Sequence, residues 1–289
     1  MTHHLTKSEI KFINYQYLPG LTVKNASKYL EASGVRSARV RKKLNCFLDI
    51  QYGSALEQKL DVFPSPNKTS PVHIFIHGGY WRAKHVNKTI YSHIAGPLVG
   101  AGATVVLLDY ALCPSVRISE IVKQIQDGVF WVHKNISKYN GNPKKLFLSG
   151  HSAGGHLAGM MMATDWSKYV NNTKALFCGF IFLSGLFDIE PHRHSSLQKD
   201  IRLTKKDTKN FSPMYLRPFS AAPSIVAVGG EESDLFHWQS LRFAAHLRFH
   251  GVKAHFVSTK DDNHFTITDR LGDSRSSLTK MFIRQMNLG

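Results

Sequence analysis

From residue 45 onward, short apolar runs alternate with longer stretches whose apolar residues recur every three or four positions. The runs fall at 46–52, 59–63, 72–76, 104–108, 146–149, 180–184, 225–228 and 254–257. They are rich in β-branched and aromatic residues, and the central ones are apolar on both faces, as strands covered on two sides must be. The periodic stretches, at 87–100, 115–138, 153–165, 236–250 and 274–286, read as helices. Strand alternating with helix predicts an α/β architecture: a mostly parallel eight-stranded sheet flanked by helices through right-handed crossovers. The first two runs are separated by Gly53-Ser54, a hairpin turn, and closed by the loop Pro64-Ser65-Pro66-Asn67. They are expected to add antiparallel strands at one edge.

Two segments depart from this rhythm. Residues 1–45 are polar and mixed, and read as an N-terminal helical extension of one or two helices packed on the rest. Residues 186–218 are rich in Lys, Ser and Pro and carry helical fragments at 196–202 and 205–210. Connections longer than about 12 to 15 residues are usually functional, so this insertion is expected to form a cap over the sheet. No linker divides the chain, and residues 1–289 are expected to form a single domain.

Composition narrows the class. With 289 residues, 43% apolar and 20% charged, the chain can bury a substantial core. A disordered chain, a collagen-like repeat and a disulfide-stapled miniprotein are excluded. Cys46, Cys113 and Cys178 are too few and too far apart for a disulfide framework or a zinc ribbon, and fit a reducing compartment. The opening residues contain no apolar signal segment. The longest apolar tracts, 94–108 and 177–187, are shorter than the roughly 18 to 20 residues of a membrane span. A cytoplasmic protein with no membrane partner is expected.

The net charge of +17 is the unusual number. The densest basic stretch is Arg36, Arg39, Arg41, Lys42 and Lys43, and a looser one runs from Arg193 to Lys209. Neither interleaves aromatics with charge, and no nucleic-acid-binding motif accompanies them. A solvated basic face is the expectation, with a small molecule rather than a nucleic acid as partner. No metal-ligand cluster is visible and no cofactor is expected; a homodimer is left open.

The chemistry is carried by three places. Gly150-His151-Ser152-Ala153-Gly154 follows an apolar run and opens a helical stretch. This is G-x-S-x-G in a strand–turn–helix context, which presents Ser152 as a nucleophile on a strained turn with a helix N-terminus behind it. His77-Gly78-Gly79-Tyr80-Trp81 follows the run at 72–76. An H-G-G sequence there is the oxyanion-hole loop of many lipases and esterases. Gly78 belongs to that loop, the expected donors are the amides of Gly79 or Tyr80 and of Ala153, and Trp81 is read either as a pocket wall or as a core indole. Third, the polar loop after the last run contains His264, the expected general base, since the acid and then the histidine follow the serine in this arrangement. The acid is expected after the run at 225–228, where a position about three residues past the strand points to Glu232 and Asp234 is its rival.

With these residues in place the sequence resembles the arylformamidases, or kynurenine formamidases, of the α/β-hydrolase fold. The likeness spans Asp49-Ile50-Gln51-Tyr52-Gly53, the His77–Trp81 stretch, Asp109-Tyr110-Ala111-Leu112-Cys113-Pro114 and Gly150 to Ala158. It continues through Ser184-Gly185-Leu186-Phe187-Asp188-Ile189-Glu190-Pro191, Glu232-Ser233 and Asn263-His264-Phe265. The resemblance implies hydrolysis of N-formyl-L-kynurenine to kynurenine and formate, in tryptophan catabolism. It also implies an acid just before the serine of an acid–Ser pair, which is Glu232; many members carry aspartate there, so Asp234 stays open. A general carboxylesterase acting on small acyl or aryl esters is the alternative. A binding protein on a vestigial hydrolase scaffold would lack a member of the triad, and every position is filled.

Overall fold

The apolar runs become strands β1 (Phe47–Gln51), β2 (Lys59–Phe63), β3 (Ser70–Ile76), β4 (Thr104–Leu108), β5 (Gly141–His151), β6 (Phe177–Leu183), β7 (Ser224–Gly229) and β8 (Ala254–Thr259). The computed structural model describes residues 5–170 and 176–288, so residues 1–4 of the N-terminal extension and 171–175 and 289 lie outside the described residues. The strands form one sheet in the order β1-β2-β4-β3-β5-β6-β7-β8. β3 to β8 are parallel, while β1 and β2 are antiparallel to their neighbours. This is the α/β-hydrolase fold.

The described part of this extension, residues 5–45, folds as α1 (Lys7–Tyr17), α2 (Pro19–Thr22) and α3 (Ala26–Lys43), one helix more than the sequence suggested. The crossovers supply α4 (Ala95–Gly100), α5 (Ile118–Asn135) and α6 (Ala153–Met162). The insertion at 186–218 carries α7 (Gln198–Ile201) and α8 (Lys205–Asn210); α9 (Asp234–Phe249), α10 (Ile267–Leu271) and α11 (Ser277–Gln285) complete the chain. The expected helix at 87–100 is divided into a 3-10 turn, Lys88–Ile94, and α4. Pro97 explains the division: it has no N–H to give to His93, so a continuous helix would break there, whereas the first turn of α4 needs no such donor. Among the described residues no helix is long and apolar enough to cross a membrane.

Alternate residues of the parallel strands face two apolar layers. Ile74, Val106, Leu148, Phe182 and Val226 face the layer holding α5, α6 and α9. Phe75, Val105, Phe147, Ile181 and Ile225 face the layer holding α4, α10 and α11. In α5 the buried Ile118, Ile121, Val122, Ile125, Val129 and Val132 trace one helical stripe, which fixes the face it turns to the sheet. The carboxyl ends of β3, β5, β7 and β8 open on one edge, and ligands of parallel sheets bind beyond that edge.

The N-terminal helices are bound to this frame by a buried charge. Asp61 on β2 has a fully buried carboxylate; it pairs with Arg41 of α3 at 2.6 Å and with Lys88 at 2.9 Å, and accepts the Asp49 amide at 2.8 Å. Ser37 adds a hydrogen bond to the Ile90 carbonyl at 2.7 Å, and Arg36 pairs with Asp269 of α10. Removing one member of a buried ionic group leaves its partners uncompensated, at a cost of about 3–5 kcal/mol. Asp61→Asn is therefore expected to lower unfolding stability by about 3 kcal/mol or more in denaturant titration. A loss below about 0.5 kcal/mol would show that the group does not hold α3 to the sheet.

Candidate active site

The turn between β5 and α6 is set by sterics. Ser152 sits at φ 57°, ψ −118°, a backbone conformation that non-glycine residues adopt only under constraint. A Cβ on Gly150 would fall far inside contact distance of the Gly154 carbonyl, and one on Gly154 would collide with the Ile76 carbonyl of β3. Glycine at both positions lets the first turn of α6 press against β3. The Ser152 amide donates to Leu183 of β6 at 2.9 Å, and its carbonyl receives the His156 amide at 3.0 Å. The serine thus stands above the middle of the sheet, ahead of the N-terminus of α6.

The His77–Trp81 loop lies against this turn. A Cβ on Gly78 would come within 2.9 Å of the His151 carbonyl and 3.2 Å of the Ser152 Cβ. Gly79, Tyr80 and Trp81 all have positive φ, at 103°, 55° and 58°. His77 holds the loop from below: its Nε2 meets Asp109 at 2.8 Å, its Nδ1 meets the Gly78 carbonyl at 2.8 Å, and its ring stacks on Tyr110 at 4.3 Å. Among the described residues the amides of Gly79, Tyr80 and Ala153 donate to no backbone carbonyl outside regular elements.

Trp81 is corrected from a pocket wall to a core residue. It is 1% exposed, and its indole N–H donates to His156 Nδ1 at 3.2 Å. His156 Nε2 in turn donates to the Phe211 carbonyl at 2.7 Å, and burial pushes that imidazole down to about 4. The chain of donors joins the loop to the 186–218 insertion.

Of the two acids, Glu232 reaches His264 and Asp234 does not. Nδ1 of His264 donates to Glu232 Oε2 at 2.6 Å, with both side chains nearly inaccessible. The other oxygen, Oε1, accepts the Gly229 amide at 2.8 Å and the Ser184 hydroxyl. The carboxylate is therefore satisfied from the ends of β6, β7 and the His264 loop. Asp234 is exposed at the first position of α9, where a negative charge suits the helix dipole. With Nδ1–H committed to Glu232, the lone pair of His264 is on Nε2.

Ser152 and His264 line one cavity of about 590 Å3, together with His151, Tyr80, Tyr91 and Val86. Its far wall is α3, through Ala26, Ser27, Leu30, Glu31 and Gly34. No residue of 186–218 lines it, which corrects the expectation that this insertion covers the site. The insertion packs instead beside α1, where His192 meets Tyr17 ring to ring at 5.1 Å and the Ser196 amide donates to Asn14 at 2.8 Å. A wider open groove of about 1050 Å3 lies behind the His264 loop, but Arg36, Arg270 and Arg275 there are paired with Asp269, Asp262 and Asp273. The wall formed by α3 was not foreseen from the sequence; its sign was the row of small residues, Ala26, Ser27 and Gly34, on one helical face.

Comparison with known proteins agrees with this geometry. The prolyl oligopeptidase family model matches residues 121–287 and the BD-FAE model residues 60–180. A kynurenine formamidase of Danio rerio is 32% identical over 255 residues, covering 86% of this chain and 84% of the relative. The chain belongs to the kynurenine formamidase family. Through the first of the two model matches it also belongs to the prolyl oligopeptidase family, within the α/β hydrolases. A kynurenine formamidase of Drosophila melanogaster is 28% identical over 83% of this chain and 81% of its own length. A crystal structure from Silicibacter sp., described as a candidate thioesterase, superposes with a TM-score of 0.80 at 28% identity, covering 92% of this chain and 96% of that one.

The steric account of the turn has a direct consequence for this formamidase-family chain. Gly154→Ala forces either α6 or β3 to move, an overpacking cost of typically about 1–3 kcal/mol. The melting temperature should fall accordingly; a variant as stable as the parent would show that α6 does not rest against Ile76.

Proposed function

We propose that this chain hydrolyses aryl formamides, with N-formyl-L-kynurenine as substrate, through Ser152, His264 and Glu232. The observation that carries the reading is the buried Glu232–His264 pair opening on the same cavity as Ser152. In the first half-reaction His264 Nε2 takes the proton of Ser152, whose oxygen attacks the formyl carbon. The amides of Gly79 or Tyr80 and of Ala153 receive the resulting oxyanion, and each such donor is worth about 3–4 kcal/mol of barrier. The C–N bond then breaks as His264 returns its proton to the aniline nitrogen, leaving Ser152 formylated. Water enters, His264 takes one of its protons, and the hydroxide equivalent attacks the formyl ester. Formate leaves and Ser152 regains its proton. Glu232 keeps the imidazole in one tautomer and stabilises its cation throughout.

An anilide nitrogen is a better leaving group than an alkyl amine, and a formyl carbonyl is unhindered. Both suit a cavity whose wall beside Gly79 is filled by Val86 and Ala83. The charged side chains around it are Glu31 and Arg82, with Arg82 Nε tied to Asp200 at 2.6 Å. In this reading Glu31 receives the substrate's α-ammonium and Arg82 its carboxylate. The reading also takes the cytoplasm as the compartment, which suits Cys46, Cys113 and Cys178 as free thiols. The second reading is a carboxylesterase, favoured by the candidate thioesterase among the solved structures. It uses the same triad and differs only in substrate.

Ser152→Ala should abolish formate release while leaving the circular dichroism spectrum unchanged; turnover near the parent level would refute Ser152 as nucleophile. Glu232→Gln should lower kcat by about 10²- to 10⁴-fold, since loss of a triad acid costs up to about 10⁴. Asp234→Asn should leave kcat within about twofold, a surface change of less than about 0.5 kcal/mol. The reverse order of the two would reassign the acid.

Glu31→Gln separates substrate recognition from chemistry. It should raise KM for N-formyl-L-kynurenine about tenfold, the equivalent of about 1.4 kcal/mol, and leave KM for formanilide, which has no amino-acid group, unchanged. Equal effects on both would remove Glu31 from recognition. Faster turnover of p-nitrophenyl acetate than of N-formyl-L-kynurenine would favour the esterase.

A further inference from the structure

Three groups beside the triad play no part in the proton transfers above. They are the Tyr91 hydroxyl, the His151 ring and the main-chain carbonyl of His264. His151 is the variable position of the G-x-S-x-G turn, directly before Ser152, and is 4% exposed. Its Nε2 lies 2.8 Å from the His264 carbonyl oxygen, and its Nδ1 lies 3.2 Å from the Tyr91 hydroxyl. A carbonyl can only accept, so Nε2 carries the proton, Nδ1 the lone pair, and the phenol donates. Tyr91 belongs to the 3-10 turn Lys88–Ile94, is 5% exposed, and its oxygen also faces the Gly78 backbone.

The rings of His151 and His264 are 4.6 Å apart. His264 must become a cation during each half-reaction, so a second cation there would oppose it. Burial, and next the nearness of His264, push the ionisation of His151 well below the ordinary imidazole range. A neutral imidazole is thus a rigid donor that adds no charge.

We propose that Tyr91 and His151 are a positioning pair that fixes the backbone of His264 relative to Ser152, and so sets the approach of the imidazole to the serine hydroxyl. The inference rests on the reading of Ser152 and His264 as nucleophile and base. Glu232 restrains the imidazole only from its Nδ1 side. The height of the ring over the sheet follows from the backbone of residue 264, in the loop between β8 and α10. His151 ties that backbone to the residue adjoining the nucleophile by one hydrogen bond, and Tyr91 holds the donor in the required tautomer. The same hydroxyl lies beside the oxyanion loop, so one phenol touches the structures that carry attack, proton transfer and oxyanion binding. A misplacement of about 1 Å between reacting groups can cost about 10²-fold in rate.

The deciding experiment compares His151→Leu, His151→Gln, Tyr91→Phe and the double variants, with kcat and KM measured on N-formyl-L-kynurenine and on p-nitrophenyl acetate. His151→Leu should lower kcat by about 30- to 100-fold on both substrates, with KM within about twofold. His151→Gln, whose amide can donate to the same carbonyl, should recover most of that loss. Tyr91→Phe should cost about fivefold alone and nothing further on top of His151→Leu, because the two act as one unit. A change confined to KM, Gln no better than Leu, or losses that multiply independently would each overturn the pair. If His151→Leu does not fold, the cycle of Tyr91→Phe with His151→Gln decides the matter: Tyr91→Phe should lose its effect once the tautomer no longer matters. If N-formyl-L-kynurenine is not turned over at all, the substrate reading fails, and the ester still reports on the pair.

Discussion

Close contact between the first turn of α6 and the end of β3 is the constraint from which the rest of the site follows. Gly150 and Gly154 permit it, because any side chain there would meet backbone rather than a movable group. The contact forces Ser152 into a backbone conformation that turns its hydroxyl out of the sheet. It also brings the glycines after His77 beside the serine, so the hydroxyl of Ser152 and the amides of that loop come from adjacent strands without any long side chain having to bridge them. Strain at Ser152 is held by the hydrogen bonds of its own main chain to β6 and α6.

Around this point the polar groups are arranged so that charge can appear and disappear without solvent. Glu232 has three partners for its two oxygens and is almost fully buried. Such a carboxylate needs its partners, since an unpaired buried charge is costly. The imidazole beside it gains a fixed orientation. The other buried histidines of this region, His151, His156 and His192, are all pushed down by burial and stay neutral.

The closure of the cavity is a tertiary matter. α3 forms its wall because Asp61 draws Arg41 and Lys88 together beneath it and because Arg36 reaches Asp269 beside the His264 loop. Tyr29 of α3 stacks on Phe265, the residue after His264, at 6.1 Å. The helix that walls the cavity is thereby fastened to the loop that carries His264. Part of the basic stretch 36–43 serves these ties: Arg36 and Arg41 are paired inward, which gives two of its charges a structural use.

What the chain determines locally was legible in the sequence. The eight apolar runs mark the eight strands, the glycines around Ser152 mark the turn, and the H-G-G stretch marks the loop beside it, because each depends on the period, size or backbone freedom of neighbouring residues. Spacing pointed to Glu232, but the exclusion of Asp234 was not legible, since two carboxylates two positions apart differ only in which one the chain before α9 turns toward a histidine 32 residues away. Nor were the burial of Trp81 behind the site and the replacement of the 186–218 segment by α3 as its wall. These follow from contacts between segments far apart in the chain, whose geometry exists only once the sheet has brought them to the same edge.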